Sequence, residues 1–123
     1  MKHISDVRTV AVFVGDQDRA LEFYEGKLGF EKVMDAPLPQ GGGRWLVVGL
    51  PGASTTVALL QASEAAPAGR DTGIRLVTAD AAAAHAALGG EGVVTSELIS
   101  WPGVPPMFTF QDQDDNRLYL IQE

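Results

Sequence analysis

The chain has 123 residues, 46% of them apolar and 20% charged, with a formal net charge of −7. That length suits one domain with a core of its own, and the absence of cysteine excludes disulfides and thiolate chemistry. Nine scattered basic residues against sixteen acidic ones exclude the clustered cations that nucleic acid and anionic membrane surfaces require. No apolar run is long enough to span a bilayer, and MKHISDVRTV at the start holds no signal-peptide core, so a cytoplasmic location is expected.

VRTVAVFVG (7–15) is rich in β-branched residues and predicts a strand. Asp16 stands where a helix N-cap belongs, and apolar residues at 20, 21, 23, 24 and 28 keep helical spacing up to a turn at Gly29. This helix is expected to bury Leu21, Phe23, Tyr24 and Leu28. A second strand begins at 30–34, and APLPQGGG (36–43) is a loop by its Pro and Gly content. RWLVVGL (44–50) and TTVALLQA (55–62) predict two more strands, followed by a polar linker, SEAAPAGRDT (63–72).

The same order then returns. GIRLVTA (73–79) predicts a strand, Asp80 a second cap, and 81–89 an alanine-rich helix that GGEG ends. Residues 93–99, 107–112 and 117–123 supply three further strands. The chain is therefore read as a duplicated βαβββ unit, module one at about 5–62 and module two at 73–123.

VGDQDRALEFYEGKLGFE (14–31), GRWLVVGLPGA (43–53), TGIRLVTAD (72–80) and FQDQDDNRLYLIQE (110–123) carry a resemblance that runs through essentially the whole chain. It resembles the glyoxalase/bleomycin resistance/extradiol dioxygenase superfamily, also called the vicinal oxygen chelate superfamily. The closing stretch is similar to the family's DPDGN turn, with Gln113 for proline and Asp115 for glycine. The resemblance implies an α+β fold, with two tandem βαβββ modules forming a curled mixed sheet around a cup in a single domain. In metal-dependent members a ligand sits on the first and last strand of each module. Those positions correspond here to Thr9, Ala58, Gly73 and Tyr119. None supplies a His or carboxylate, and a slip of register offers only Gln61 or Gln122. The expectation is that the metal site is lost and that no cofactor is held. The two histidines stand elsewhere: His3 before the first strand, His85 in the alanine helix as a surface or packing residue.

Strand alternation from those positions places Thr9, Ala11, Phe13, Ala58, Leu60, Gly73, Arg75, Val77, Tyr119 and Ile121 in the cup. Met107 and Thr109 join them if Phe108 and Phe110 are core, while Arg44 and Trp45 compete for the inward place. Arg75 reads as a guanidinium fork for an anionic ligand group, as an internal ion-pair partner, or as a rim residue. Trp101, in SWPGVPP, is a ligand-stacking face or a dimer or core anchor. The candidate ligand-binding residues are thus Thr9, Phe13, Arg75, Trp101, Met107 and Tyr119.

No catalytic constellation is present. There is no Gly-x-Ser-x-Gly elbow, QGGGRW lacks the Lys-Ser/Thr of a phosphate loop, and DQDDN is expected in solvent at a hairpin end. The resulting expectation is a metal-free homodimer that binds an anionic or aromatic small molecule. Two alternatives stay open. One is a lyase, isomerase or dioxygenase with a relocated metal or with acid–base chemistry through Tyr119 and Arg75. The other is an interaction module whose cup is filled by its own side chains.

Overall fold

A computed structural model describes residues 2–123 as two compact units that divide after Pro67. In the first unit, strand β1 (Thr9–Val14) leads into helix α1 (Gln17–Gly26), then β2 (Glu31–Pro37), β3 (Arg44–Gly49) and β4 (Thr56–Gln61). Its four-stranded sheet has the order β1-β4-β3-β2, with β1 and β4 parallel and the other pairs antiparallel. In the second unit, β5 (Asp71–Thr78), α2 (Ala81–Gly90), β6 (Met107–Gln111) and β7 (Arg117–Gln122) build a three-stranded sheet of order β5-β7-β6. The fold is α+β, as the pattern of elements predicts.

Both aspartate caps form. Asp16 accepts from the Arg19 amide at 3.1 Å and Asp80 from the Ala83 amide at 3.0 Å, each satisfying an N–H that the first helical turn leaves unpaired. The turn that follows α1 closes where Gly29 takes a left-handed conformation (φ 80°) and the Phe30 N–H reaches back to the Tyr24 carbonyl. Tyr24 and Ala20 are buried, and the Tyr24 ring meets Phe30 edge-on at 5.6 Å. Leu21, Phe23 and Leu28, expected in the core, are only half-buried.

Helix α1 is tied to its sheet by a residue the apolar pattern does not reveal. Gln17 is 4% exposed, and its Nε2 donates to the carbonyls of Arg44 (2.7 Å) and Leu59 (2.8 Å) while its Oε1 accepts from the Arg44 amide (2.9 Å). Gly43 makes room for this, because a Cβ there would stand 2.5 Å from Gln17 Oε1. The second unit reverses the roles. Gln122 on β7 accepts from the amide of Ala81, the first residue of α2.

Two expectations are corrected. Residues 93–99 do not form a strand; they pair with β6 through isolated bridges at Thr95 and Ile99. The Ser96 hydroxyl takes the Thr109 N–H at 2.8 Å, replacing a backbone partner and interrupting the ladder. The DQDDN turn is not a solvated loop either: Asp112 is 4% and Asn116 1% exposed. Asp112 accepts from the amides of Asp114 and Asn116 and from Asn116 Nδ2, while Asn116 Oδ1 accepts from the amides of Gly69 and Arg70. Asp115 takes up the left-handed conformation (φ 62°) at the position where the family's turn has glycine.

Replacing Gln17 with Met keeps the volume but strands the amide of Arg44 and the carbonyls it now serves. The expected loss of unfolding free energy is about 1–3 kcal/mol, read from urea denaturation.

Candidate functional site

In the first unit strand alternation divides the sheet residues between two faces. Val12, Val14, Leu46, Val48 and Leu59 are buried on the face that carries α1. Arg44 lies on this side too, donating to Asp35 and pairing with Asp18 of α1, each at 2.9 Å. Its guanidinium holds the Asp35 carboxyl below its ordinary range, and the carboxylates in turn raise Arg44. Trp45 therefore takes the opposite face, together with Thr9 and Val47.

That opposite face holds a cavity of about 240 Å³. Val33, Met34, Trp45 and Val47 form its apolar wall, and Arg8, Thr9, Ser54 and Thr56 complete its lining. Two adjacent residues, Val33 and Met34, share the wall because the β2–β3 register shifts between Lys32 and Met34. A regular strand would send them to opposite faces. Gly49 leaves the space open, since a Cβ there would meet Val33 Cγ2 at 3.2 Å and Thr56 Cγ2 at 3.3 Å. The Thr9 hydroxyl donates to the Thr56 carbonyl at 3.2 Å. Phe13 follows on β1, half-buried.

In the second unit Phe108, Phe110 and Leu118 are buried, so Met107 and Thr109 lie on the other face of the sheet. There Arg75 stands opposite Tyr119, with its guanidinium 4.3 Å from the ring centroid. Arg75 Nη1 donates to the Gly73 carbonyl at 2.8 Å, and no carboxylate among the described residues lies within ion-pairing distance of it. The Tyr119 hydroxyl donates to Asp71 Oδ2 at 2.7 Å. That bond, the Gly73 amide and the nearby Arg117 and Arg75 together lower the Asp71 pKa. Between Asp71 and Arg75 the β5–β7 register shifts, and Gly73 there has φ 69°, where a side chain is strained. Trp101 is 65% exposed on a Trp-Pro-Gly-Val turn closed by a bond from the Val104 amide to the Trp101 carbonyl.

Of the six candidate residues, then, Thr9 and Phe13 lie in the first unit. Arg75 and Tyr119 stack in the second, where Met107 pairs with Ile121 on the same sheet and Trp101 lies in the preceding loop. Sequence reasoning missed Arg8, Val33 and Met34, and it missed Asp71, which falls in the predicted linker. Bulges carried the last three out of view. His85 packs edge-on against Phe108 with its Nε2 2.8 Å from the Ser96 carbonyl, a packing role. Among the described residues, no three or more His, Cys, Asp or Glu side chains form a group able to hold a metal ion.

A family model, the Glyoxalase/Bleomycin resistance protein/Dioxygenase superfamily, matches residues 3–120. A superfamily member from Sphaerobacter thermophilus DSM 20745 is similar over 98% of each chain, at 37% identity and a TM-score of 0.88. TnmS3, an antibiotic binding protein from Streptomyces sp. CB03234, is 34% identical, with 99% of this chain and 98% of that one covered and a TM-score of 0.87. The uncharacterized protein YurT of Bacillus subtilis is 41% identical over 61 residues, which span 50% of this chain and 46% of that relative.

The Asp71–Tyr119 contact sets a pH signature. A lowered folded-state pKa stabilises the fold above the ordinary carboxylate range, and that contribution is lost as pH falls through the folded value. Followed by carboxyl NMR, Asp71 should titrate below the usual ~3.9. Tyr119→Phe, which removes the largest cause of the shift, should bring the midpoint back up.

Proposed function

Because the chain belongs to the Glyoxalase/Bleomycin resistance protein/Dioxygenase superfamily, we propose that it is a small-molecule-binding protein of the antibiotic-binding kind, working without the superfamily's metal ion. The observation that carries this reading is the likeness, along nearly the whole chain, to a protein that binds an antibiotic.

The donor chemistry supports the metal-free part. The four positions that correspond to metal ligands do not fit a divalent ion. Thr9 and Tyr119 carry hydroxyls already donated to protein oxygens. Ala58 has no donor, and Gly73 has no side chain in a conformation that resists one. The neighbouring glutamines are engaged as well, Gln61 with the Gly15 carbonyl and Gln122 with the Ala81 amide. What remains is suited to binding: a cavity with an aromatic wall in one unit and, in the other, a guanidinium over a tyrosine ring. Trp101, mounted on its Pro-Gly turn, is a rigid aromatic surface for the same purpose. One observation favours catalysis instead, the Tyr119 hydroxyl bonded to a carboxylate. Turnover of a bound compound that is lost in Tyr119→Phe would replace the binding reading with a metal-free acid–base enzyme.

The working form in this proposal is a cytoplasmic homodimer. Strand β1, TVAVFV, lies at one edge of its sheet with no charge, proline or bulge to discourage pairing with a further strand. Native mass spectrometry tests both parts of the proposal at once. The expected species has twice the chain mass and no bound divalent ion; a monomer at micromolar concentration, or one Zn, Ni, Mn or Fe per chain, would count against it.

Thermal-shift screening of an antibiotic panel should find compounds that raise the melting temperature with concentration, as ligands of the folded state do. A panel with no such compound would defeat the reading. Replacing Arg75 with Met should cost the fold no more than about 1 kcal/mol, the scale of an exposed cation–π contact. The same change should weaken an acidic hit that engages Arg75 about tenfold or more in dissociation constant.

A further inference from the structure

We infer that the cavity of the first unit is a site for a planar aromatic acid, with Trp45 as its stacking wall and Arg8 as its counter-ion. The inference rests on the small-molecule-binding reading and adds the chemical class and the residues that select it.

The cavity is built at some cost to the strand that borders it. Val33 and Met34 are 61% and 51% exposed, although both are large and apolar. The bulge at 32–34 turns both toward the same space, where a regular strand would turn only one. Such an arrangement contributes little to the core and leaves apolar surface open to a ligand. Trp45 and Val47 continue this surface on β3, so an aromatic ring and a flexible thioether line one slot. Its volume of about 240 Å³ gives room for a one- or two-ring group.

The charge comes from Arg8. The basic residues of this acidic chain include three that are paired, namely Lys32, Arg44 and Arg117. Arg8 lines the cavity, and its guanidinium has no ion-pair partner among the described residues. Among the described residues its backbone carbonyl is engaged, accepting from the amide and hydroxyl of Thr56. That anchors the main chain beside the slot and leaves the planar cation free for a carboxylate. The aromatic wall gives affinity and Arg8 gives selectivity for the acid over its neutral analogue.

The test uses 2-naphthoate and its uncharged counterpart 2-naphthamide as probes. The chain has two tryptophans, so labelling with 5-fluorotryptophan yields two fluorine resonances, assigned with a Trp101→Phe sample. Titration with naphthoate should move the Trp45 resonance at lower concentration than naphthamide does. Arg8→Gln should weaken naphthoate about tenfold and leave naphthamide unchanged. Equal affinity for acid and amide, or no effect of Arg8→Gln, would overturn the inference. So would binding that leaves the Trp45 resonance in place, or no binding of either probe. None of these outcomes touches the broader reading, which stands or falls on the antibiotic panel.

Discussion

Everything in the first unit depends on one buried amide. Residue 17 opens a helix, and the strands beneath it present the carbonyls of Arg44 and Leu59 and the amide of Arg44 to its side chain. A buried polar group without a partner costs more than a typical hydrogen bond returns. Gln17 meets all three with a single side chain that donates twice and accepts once. Its placement fixes where α1 rests, which face of β3 is covered, and so which face carries Trp45. The glycine at 43 is a consequence of the same geometry, since any larger residue would occupy the space of the amide.

The second unit meets the same need from the other direction. Its helix begins with alanines, which have nothing to offer the sheet, so Gln122 reaches across from β7. At the far end of β7, Asp112 and Asn116 form a closed polar set that also holds the backbone at Gly69 and Arg70. This explains how the turn keeps its form although Asp115 stands where the family's turn has glycine. The surrounding bonds hold an aspartate in a conformation that glycine adopts without penalty.

Those polar sets also mark where the sequence is silent. Capping aspartates, helix lengths and the alternation of β1, β5 and β6 follow from local rules, and they suffice for the α+β pattern and for setting Arg75 and Tyr119 on one face; that the two stack is not legible in them. A bulge has no comparable signature. Nothing in EKVMDAP says that Val33 and Met34 face the same way, and nothing in GRDTGIR says that Asp71 belongs to a strand and meets Tyr119. Asp112 and Asn116 look like solvated turn residues because their burial depends on residues 69 and 70, more than forty positions earlier. The 93–99 segment is misread for a related reason: its β-forming residues are real, but a serine hydroxyl substitutes for the backbone partner.

The irregularity in β2 has a meaning for the protein's life in a crowded solution. β2 forms one border of its sheet, with no further strand of that sheet along its outer side. Exposed borders of this kind seed the stacking of chains into insoluble aggregates. Here the border is broken by the shifted register, dotted with Glu31, Lys32 and Asp35, and ended by Pro37. The distortion that opens a cavity on one side thus spoils the strand as a template on the other. Straightening β2 by design would close the cavity and bring a solubility problem with it.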